Sequence, residues 1–403
     1  MDLSYGDEYG ELRAQVRSFL EENWPPKGAA SREEGAHQFR QAAIDQGYIY
    51  RNIPKQYGGS EQEADSIAAQ IIREEFSAKH APMEIRGIGM MMLVPTLLER
   101  AEEWQKEKFV RPTVMGEITW CQGYSEPGSG SDLASLQTRG VLEGDEWVIN
   151  GQKIWTTSAQ EADWMFCLVR TEPDVPKHAG ISYLLIPMKQ AGVEVRPLRQ
   201  MNGSAEFNEV FFTDARTPTD HIVGKRGEGW LVSRTTLKHE RNSIGAAAAT
   251  TAMFEGLVQF AKDTKRDGRP AIEDPLVREE LARLEGYVRA HEYSGLRQFS
   301  KNAKGETLAD IAMMNKLHST NIGDMAAKVA LEITGDDGML DPLSREPAKE
   351  GVFPSGSRMW LNQYMYSLGI AVAGGTANIQ RNVIGERGLG LPRDHYANRS
   401  SGR

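Results

Sequence analysis

The sequence predicts an α+β chain made of an N-terminal α-helical domain, a middle antiparallel β domain and a C-terminal four-helix bundle. Three observations predict it. Apolar residues recur three and four apart from Glu8 to about Gly116. At Thr119 the pattern gives way to short β-branched and aromatic runs, and after "VGKRGEGW" the helical spacing returns. The boundaries fall at 1–118, 119–226 and 227–403. With 403 residues, 40% of them hydrophobic, each domain has material for a core of its own.

In the first domain "ELRAQVRSFLEENW", "ADSIAAQIIREEFSAKH" and "EEWQKEKFVRPTVMGE" carry the helical spacing, and "NIPKQYGGS" interrupts it as a loop. In the second, "EWVINGQKIWTT", "DWMFCLVRTE", "GISYLLIPM", "GVEVRPL" and "NEVFFTDAR" read as strands, and Asn150-Gly151 is the expected hairpin turn. In the third, four spans read as the helices of a bundle: Trp230 to Lys265, Pro275 to Ser300, Glu306 to Gly335 and Ser357 to Arg387. The segment "DDGMLDPLSREPAKEGVFPSG" is too long for a plain connection and is expected to cover a site or meet another subunit.

Composition excludes several classes. Lys plus Arg total 47 against 56 Asp plus Glu, a formal charge of -9, and no basic cluster interleaves with aromatics, so no nucleic-acid partner is expected. The first residues have neither a basic nor an apolar leader region, and no run approaches the roughly 20 apolar residues of a membrane span. A cytoplasmic protein without membrane insertion is the expectation. Two cysteines and eight scattered histidines suggest neither a disulfide framework nor a metal site.

The stretch "CQGYSEPGSGSDL", Cys121 to Leu133, carries the chemistry. A dinucleotide fingerprint would need glycine where Leu133 stands, and no Gly-Lys-Ser/Thr closes a P-loop. A loop rich in N–H donors and short hydroxyls remains, entering a β domain that also contains "KIWTTS". Such a loop can approach a flat heteroaromatic ring while an indole and two hydroxyls line its face; a β-turn leading into a packed strand is the plainer alternative.

"YSEPGSGSD" and "NGQKIWTTSA" together, with "IPKQYGGS" before them and "GGTANIQRNVIGERGLGLPR" near the end, resemble the acyl-CoA dehydrogenase family over nearly the whole chain. The resemblance implies an N-terminal helical domain, a middle β-barrel and a C-terminal four-helix bundle, with FAD held between the β domain and the bundle, in a homotetramer or heterotetramer. It implies that Tyr124 and Ser125 meet the flavin edge, that Ser131 lies towards the acyl-CoA, and that Trp155, Thr156 and Thr157 line the flavin face. Thr376 and Asn378 would complete the cofactor site. The implied reaction is α,β-dehydrogenation of an acyl-CoA thioester to a 2-enoyl-CoA, with electron-transfer flavoprotein as acceptor.

Many family members carry the catalytic glutamate just before the late Gly-Thr, where this chain has Gly374. Others carry it early in the bundle, and "TLKHERNSIG" supplies Glu240 followed by Arg241. Glu240 is therefore expected to be the base, with Arg241 orienting its segment; a helix-surface ion pair is the plainer alternative. Gly374 would border the substrate, and Glu126 is expected to brace its own turn. The family's Arg-x-x-Phe-Gly segment for the ADP half of FAD is replaced by "KRDGRPAIEDP", leaving Arg266 for that task. In "GIGMMMLVPTLL", Met91 is a candidate for an adaptable acyl pocket, with core packing as the default.

The wording "WCQGYSEPGSGSDLASLQTRG" and the Glu240 arrangement are most similar to bacterial members acting on bulky, branched or dicarboxylic acyl-CoAs, including steroid side chains and pimeloyl-CoA. Some of those assemble from two different subunits. Two further readings are a non-catalytic partner subunit and a flavoenzyme of the same fold that uses dioxygen.

Overall fold

A computed structural model describes residues 6, 9–25, 32–243, 247–306, 309–336 and 356–392. By its internal contacts the chain divides into two compact units: Met1–Arg196 with Asn208–Leu237, and Pro197–Phe207 with Lys238–Arg403.

The first unit opens with helices α1 (Gly10–Asn23), α2 (Arg32–Asp45), α3 (Ser66–Ala78), α4 (Val94–Arg100) and α5 (Glu103–Met115). Asp65 starts α3 by accepting the N–H groups of Ile67 and Ala68, the donors that a helix start leaves unsatisfied. The "NIPKQYGGS" loop folds back tightly enough that a Cβ on Gly59 would meet the Ile53 carbonyl oxygen at 2.0 Å. Residues Gly89–Leu93, within "GIGMMMLVPTLL", form one π-helical turn ahead of α4.

Strands β1 (Trp120–Gly123), β2 (Arg139–Glu143), β3 (Glu146–Thr157), β4 (Trp164–Arg170), β5 (Ile181–Pro187), β6 (Val193–Pro197) and β7 (Phe207–Pro218) form one sheet. Its order is β1-β4-β2-β3-β7-β6, with β5 also on β4. The sheet is mixed rather than wholly antiparallel. β2/β3 and β4/β5 are antiparallel, whereas β1 runs parallel to β4, because the whole β2–β3 hairpin intervenes and returns the chain in the same direction.

Asn150-Gly151 is not the hairpin turn: both residues lie within the single strand β3. The turn is Gly144-Asp145, where Glu143 pairs with Glu146 and Gly144 has φ +65°, the geometry a two-residue loop demands. Gly151 (φ +148°) serves a close approach instead, since a Cβ there would lie 2.6 Å from the Thr138 hydroxyl. Asn150 is held by Asp214, giving its amide N–H to the carboxylate and accepting the Asp214 backbone N–H, each at 2.9 Å.

β4 is buried on both faces. Phe166 and Leu168 join a core shared with the helices, while Met165, Cys167 and Val169 face a second core with Cys121, Trp147, Ile186 and Phe212. Both cysteines are free, and burial pushes the Cys167 thiol up to about 12, so neither is a nucleophile at neutral pH.

His221, in the turn after β7, is buried against Trp104, Phe109 and Trp164 at ring-centroid distances of 5.4 to 5.7 Å. Thr217 donates its hydroxyl to the Leu185 carbonyl at 2.7 Å, so it accepts from His221 Nδ1 at 3.1 Å; Nε2 then accepts from the Lys108 ammonium at 3.1 Å. A proton on Nε2 would face that ammonium from within an apolar box. Burial first, and Lys108 second, depress the imidazole from 6.5 to about 4.

Below pH 6.5 the unfolded chain therefore binds a proton that the native state refuses. The stabilisation is complete above 6.5 and is lost as pH falls through about 4, a contribution of about 3 kcal/mol. His221→Asn is expected to shrink the loss of stability between pH 7 and pH 4 by about that amount, measured as urea midpoints followed by tryptophan fluorescence. An unchanged pH dependence would show that His221 titrates normally.

The first span read as a helix of the bundle contains α6 (Gly229–Ser243) and α7 (Ala247–Asp263), and the division between the two units falls within α6. α8 (Pro275–Ala303) and α9 (Ala309–Thr334) follow, α8 starting on the Asp274 carboxylate, which accepts the Leu276 N–H. The last span becomes α10 (Ser357–Ile370) and α11 (Ala377–Val383), parted by a turn in which Gly374 and Gly375 have φ +60° and +92°. α7 packs on α8 and α9, α8 on α9, and α9 on α10, around Leu257, Leu284, Ala326, Ala330 and Trp360. Nearly all of the segment after α9, residues 337–355, lies outside the described residues.

Candidate active site

In the first unit the site is built on the loop after β1 and the end of β3. Glu126 and Ser129 exchange both backbone hydrogen bonds at 2.9 Å, closing a tight turn over Pro127 and Gly128. The turn stands on a buried ion pair. Lys153 Nζ, fully enclosed, donates to Glu126 Oε1 at 2.8 Å and to the Tyr124 carbonyl at 3.2 Å, and the other carboxylate contacts are the N–H groups of Gln137 (2.6 Å) and Thr138 (2.9 Å). Burial alone would raise the Glu126 carboxyl, but Lys153 and the N–H donors hold it below the usual carboxylate range. Glu126 is a brace for its turn, as the sequence indicated.

The Ile154 N–H donates to the Ser125 carbonyl at 2.9 Å, tying the loop to β3 one residue before Trp155. Trp155 adopts φ +62°, rare for a bulky side chain, and its indole is 60% exposed. Ser125 and Thr157 are half-buried and Ser131 is exposed; among the described residues none of the three hydroxyls has a protein partner. An outward indole beside uncommitted hydroxyls suits a flat polar ring.

Two candidates are placed differently. The Tyr124 ring is buried edge-on to Phe166 and Tyr183, so only its backbone belongs to the loop surface. Thr156 points inward and is fully buried, its hydroxyl without a protein partner among the described residues. Met91 sits in the π-helical turn 43% exposed, whereas its neighbour Met92 is buried in the core.

The remaining candidates lie in the second unit. Glu240 is half-buried on α6; Arg241 follows on the same helix, but its side chain lies outside the described residues. Thr376 caps α11, its hydroxyl accepting the Ile379 N–H at 3.3 Å, and Asn378 is exposed in the first turn of that helix. Gly374 is half-buried, and its carbonyl accepts from Gln380 Nε2 at 3.2 Å. Lys316, buried on α9, donates to the carbonyls of Gly375 (2.8 Å) and Ala371 (3.4 Å), and burial lowers its proton affinity while the Glu240 carboxylate raises it. Arg266 lies in a two-residue hairpin of β8 (Lys265–Arg266) and β9 (Arg269–Pro270), turned by Asp267-Gly268 with both φ positive, and its guanidinium is 3.4 Å from Asp274.

Residues 6–117, 121–215 and 227–389 match the N-terminal, middle and C-terminal domains of acyl-CoA dehydrogenase in turn. The chain belongs to the acyl-CoA dehydrogenase family. Acyl-CoA dehydrogenase IpdE1 of Mycobacterium tuberculosis is 38% identical over 399 residues, covering 95% of this chain and 98% of the relative. Acyl-CoA dehydrogenase FadE29 of the same organism is 30% identical, covering 98% and 99%. Among solved structures, the ChsE4-ChsE5 complex from Mycobacterium tuberculosis matches with TM-score 0.75 at 28% identity, covering 98% of this chain and 100% of that one. The Tcur3481-Tcur3483 steroid ACAD matches at 0.74 and 27%, with the same coverage.

Family membership makes this chain an oxidoreductase acting on CH–CH bonds, in a family of flavoproteins whose substrates are acyl-CoA thioesters. Its fold is the acyl-CoA dehydrogenase fold, with the middle sheet curled between helical domains in the sequence. No helix among the described residues is long and apolar enough to cross a membrane.

Sequence reasoning missed Lys153 and Lys316, the buried lysines among the described residues. The signal was available for both. Lys153 is a charge inside a β-branched strand, and Lys316 shares its helical stripe with Thr320, Ala327 and Ala330, all buried.

Proposed function

We propose that this chain dehydrogenates an acyl-CoA thioester between its α and β carbons, with Glu240 as the base and FAD as its cofactor. The observation that carries the reading is the outward Trp155 in a left-handed backbone beside the unengaged Ser125, Ser131 and Thr157 hydroxyls. FAD, when bound, accepts the β-hydrogen as hydride. Trp155 would flank its ring, Ser125, Thr157 and the Tyr124 backbone would meet its edge, and Thr156 would contribute through backbone rather than side chain. Thr376 and Asn378 would act from α11, and Arg266 at the ADP half.

Glu240 takes the α-proton. A positioned carboxylate can take a proton from carbon, and Glu240 stands half-buried on α6. Arg241 would orient the segment, and Ser131, Met91 and Gly374 would border the acyl-CoA, Gly374 leaving room where many family members place a glutamate. Likeness to the steroid ACAD favours a bulky, branched or steroid side-chain thioester. Electron-transfer flavoprotein is the acceptor we propose for it. Likeness to the ChsE4-ChsE5 complex favours a tetramer that includes a second kind of chain over four identical subunits, and with Gly374 it keeps a second reading open: a subunit needing a partner to complete its site.

The test is the visible spectrum of the purified chain under anaerobic conditions, before and after straight, branched, dicarboxylic and steroid CoA thioesters. Flavin bands bleached by one class support the reading and name that class. A colourless protein favours the partner-dependent subunit, and bands that none bleaches overturn the dehydrogenase reading.

A further inference from the structure

Arg170, the last residue of β4, is half-buried, and among the described residues its guanidinium bonds no carboxylate. Its partners are three backbone carbonyls: Nη1 donates to Lys177 at 2.5 Å, and Nη2 donates to Ala134 at 2.6 Å and to Leu136 at 3.2 Å. The first carbonyl belongs to the loop between β4 and β5. The other two belong to the short helical turn Leu133–Ser135 and its cap, which follow directly on the hydroxyl loop. A planar fork of donors can bridge two segments in this way, whereas a single ammonium cannot hold the same three acceptors. Gly180 leaves room for it, since a Cβ there would lie 2.8 Å from Nη1.

The same two segments are joined a second time. Lys177 Nζ donates to both carboxylate oxygens of Asp132, at 2.8 and 3.0 Å, and to the Ser135 hydroxyl at 3.3 Å. Ser129 closes the near end of the loop, its hydroxyl donating to the Asp132 carbonyl at 3.0 Å. Between these tethered residues lies Ser131, exposed and without a protein partner for its hydroxyl among the described residues.

Resting on the reading above, in which Ser131 borders the acyl-CoA, we propose that Arg170 is a positioning residue for substrate capture: it holds the β4–β5 loop against residues 132–136 and so fixes Ser131 where the thioester binds. A segment ordered before the ligand arrives loses less freedom on binding, and the ligand is held more tightly for it. The clamp bonds neither Ser125 nor Trp155, the residues placed at the flavin. Its loss therefore weakens binding and spares the rate of the bound complex. A purely structural arginine would lower stability and leave binding unmoved.

Arg170→Met removes the fork and keeps an apolar stem; Arg170→Lys keeps the charge. The readout is anaerobic flavin reduction against the concentration of the CoA thioester that bleaches the wild type most fully. Melting temperature and hydrogen exchange of the Ser135 and Leu136 amides are followed alongside. Both amides donate within the turn, at 3.0 and 3.1 Å, so their exchange reports its opening whether or not the flavin is reduced. Arg170→Met is expected to raise the half-saturating concentration about tenfold, with the saturated rate within about twofold of wild type and both amides exchanging faster. Arg170→Lys, reaching fewer of the carbonyls, is expected to raise it about threefold.

A double-mutant cycle with Ser131→Ala tests whether the arginine acts through the serine. Ser131→Ala alone is expected to raise the half-saturating concentration, and Arg170→Met to add little to it. Additive effects, or a wild-type half-saturating concentration in folded Arg170→Met, overturn the proposal. If Arg170→Met fails to fold, Arg170→Lys takes its place in the cycle and decides on the same terms. Failure of the underlying reading shows differently, as wild-type behaviour of Ser131→Ala or as a flavin that no thioester bleaches, and it overturns the role in capture even where faster amide exchange still reports the clamp.

Discussion

Glu240→Gln lowers kcat by about a hundredfold to ten-thousandfold, while flavin binding and melting temperature stay near wild type. The amide has the shape of the carboxylate and can hold the same place on α6, but it cannot accept a proton from carbon. No second carboxylate takes over from the usual position in the late block, because the turn from Ala371 to Gly375 contains no acidic side chain. The measurement is anaerobic stopped-flow reduction with the thioester class that bleaches the wild type, together with equilibrium binding of the same thioester. Loss of reduction with retained binding places the defect in proton removal. A reduction rate within tenfold of wild type would remove Glu240 from the mechanism and direct attention to the remaining acidic groups of the chain.

Helix locations were legible because a repeat of three to four residues survives almost any tertiary context, and α1, α3, α5, α8 and α9 lie where that spacing places them. Breaks within helical spans were not legible in the same way. "AVAGGTANIQ" keeps helical neighbours on both sides, yet the paired glycines at positive φ end α10 and let Thr376 start α11. The hairpin illustrates the opposite error. Asn-Gly is a strong local turn signal, but the β-branched run continues through it, and Gly144-Asp145 closes the pair earlier, leaving Asn150 to bond Asp214.

At the site, the hydroxyl loop and Trp155 were legible as types and spacing, whereas the inward turn of Tyr124 and Thr156 depends on strand register and core packing, which spacing does not encode. The buried cations escaped for a related reason. A lysine in a sequence reads as solvent-facing unless its stripe is traced residue by residue.

Lys153→Met destabilises the first unit by about 3–5 kcal/mol, far more than the loss of a surface ion pair. Methionine matches the aliphatic stem, so the cost is not a cavity; it is the Glu126 carboxylate left in the interior with only the Gln137 and Thr138 N–H groups to stabilise it. The sign of the pH dependence follows. In the wild type the Glu126 carboxyl is held below its unfolded value, so its contribution is complete above that value and is lost as pH falls through the lower, folded one. In the variant the unpaired anion is relieved by protonation, so the gap to wild type narrows as the solution is acidified. Adding Glu126→Gln to Lys153→Met removes the stranded charge and recovers part of the loss, a coupling that a double-mutant cycle of urea unfolding reads directly. Additive effects of the two substitutions would mean that the pair does not act as a unit. Recovery of stability without recovery of flavin content, by contrast, separates the ion pair's role in folding from its hold on the Tyr124 carbonyl, the point at which Lys153 reaches the loop proposed to meet the cofactor.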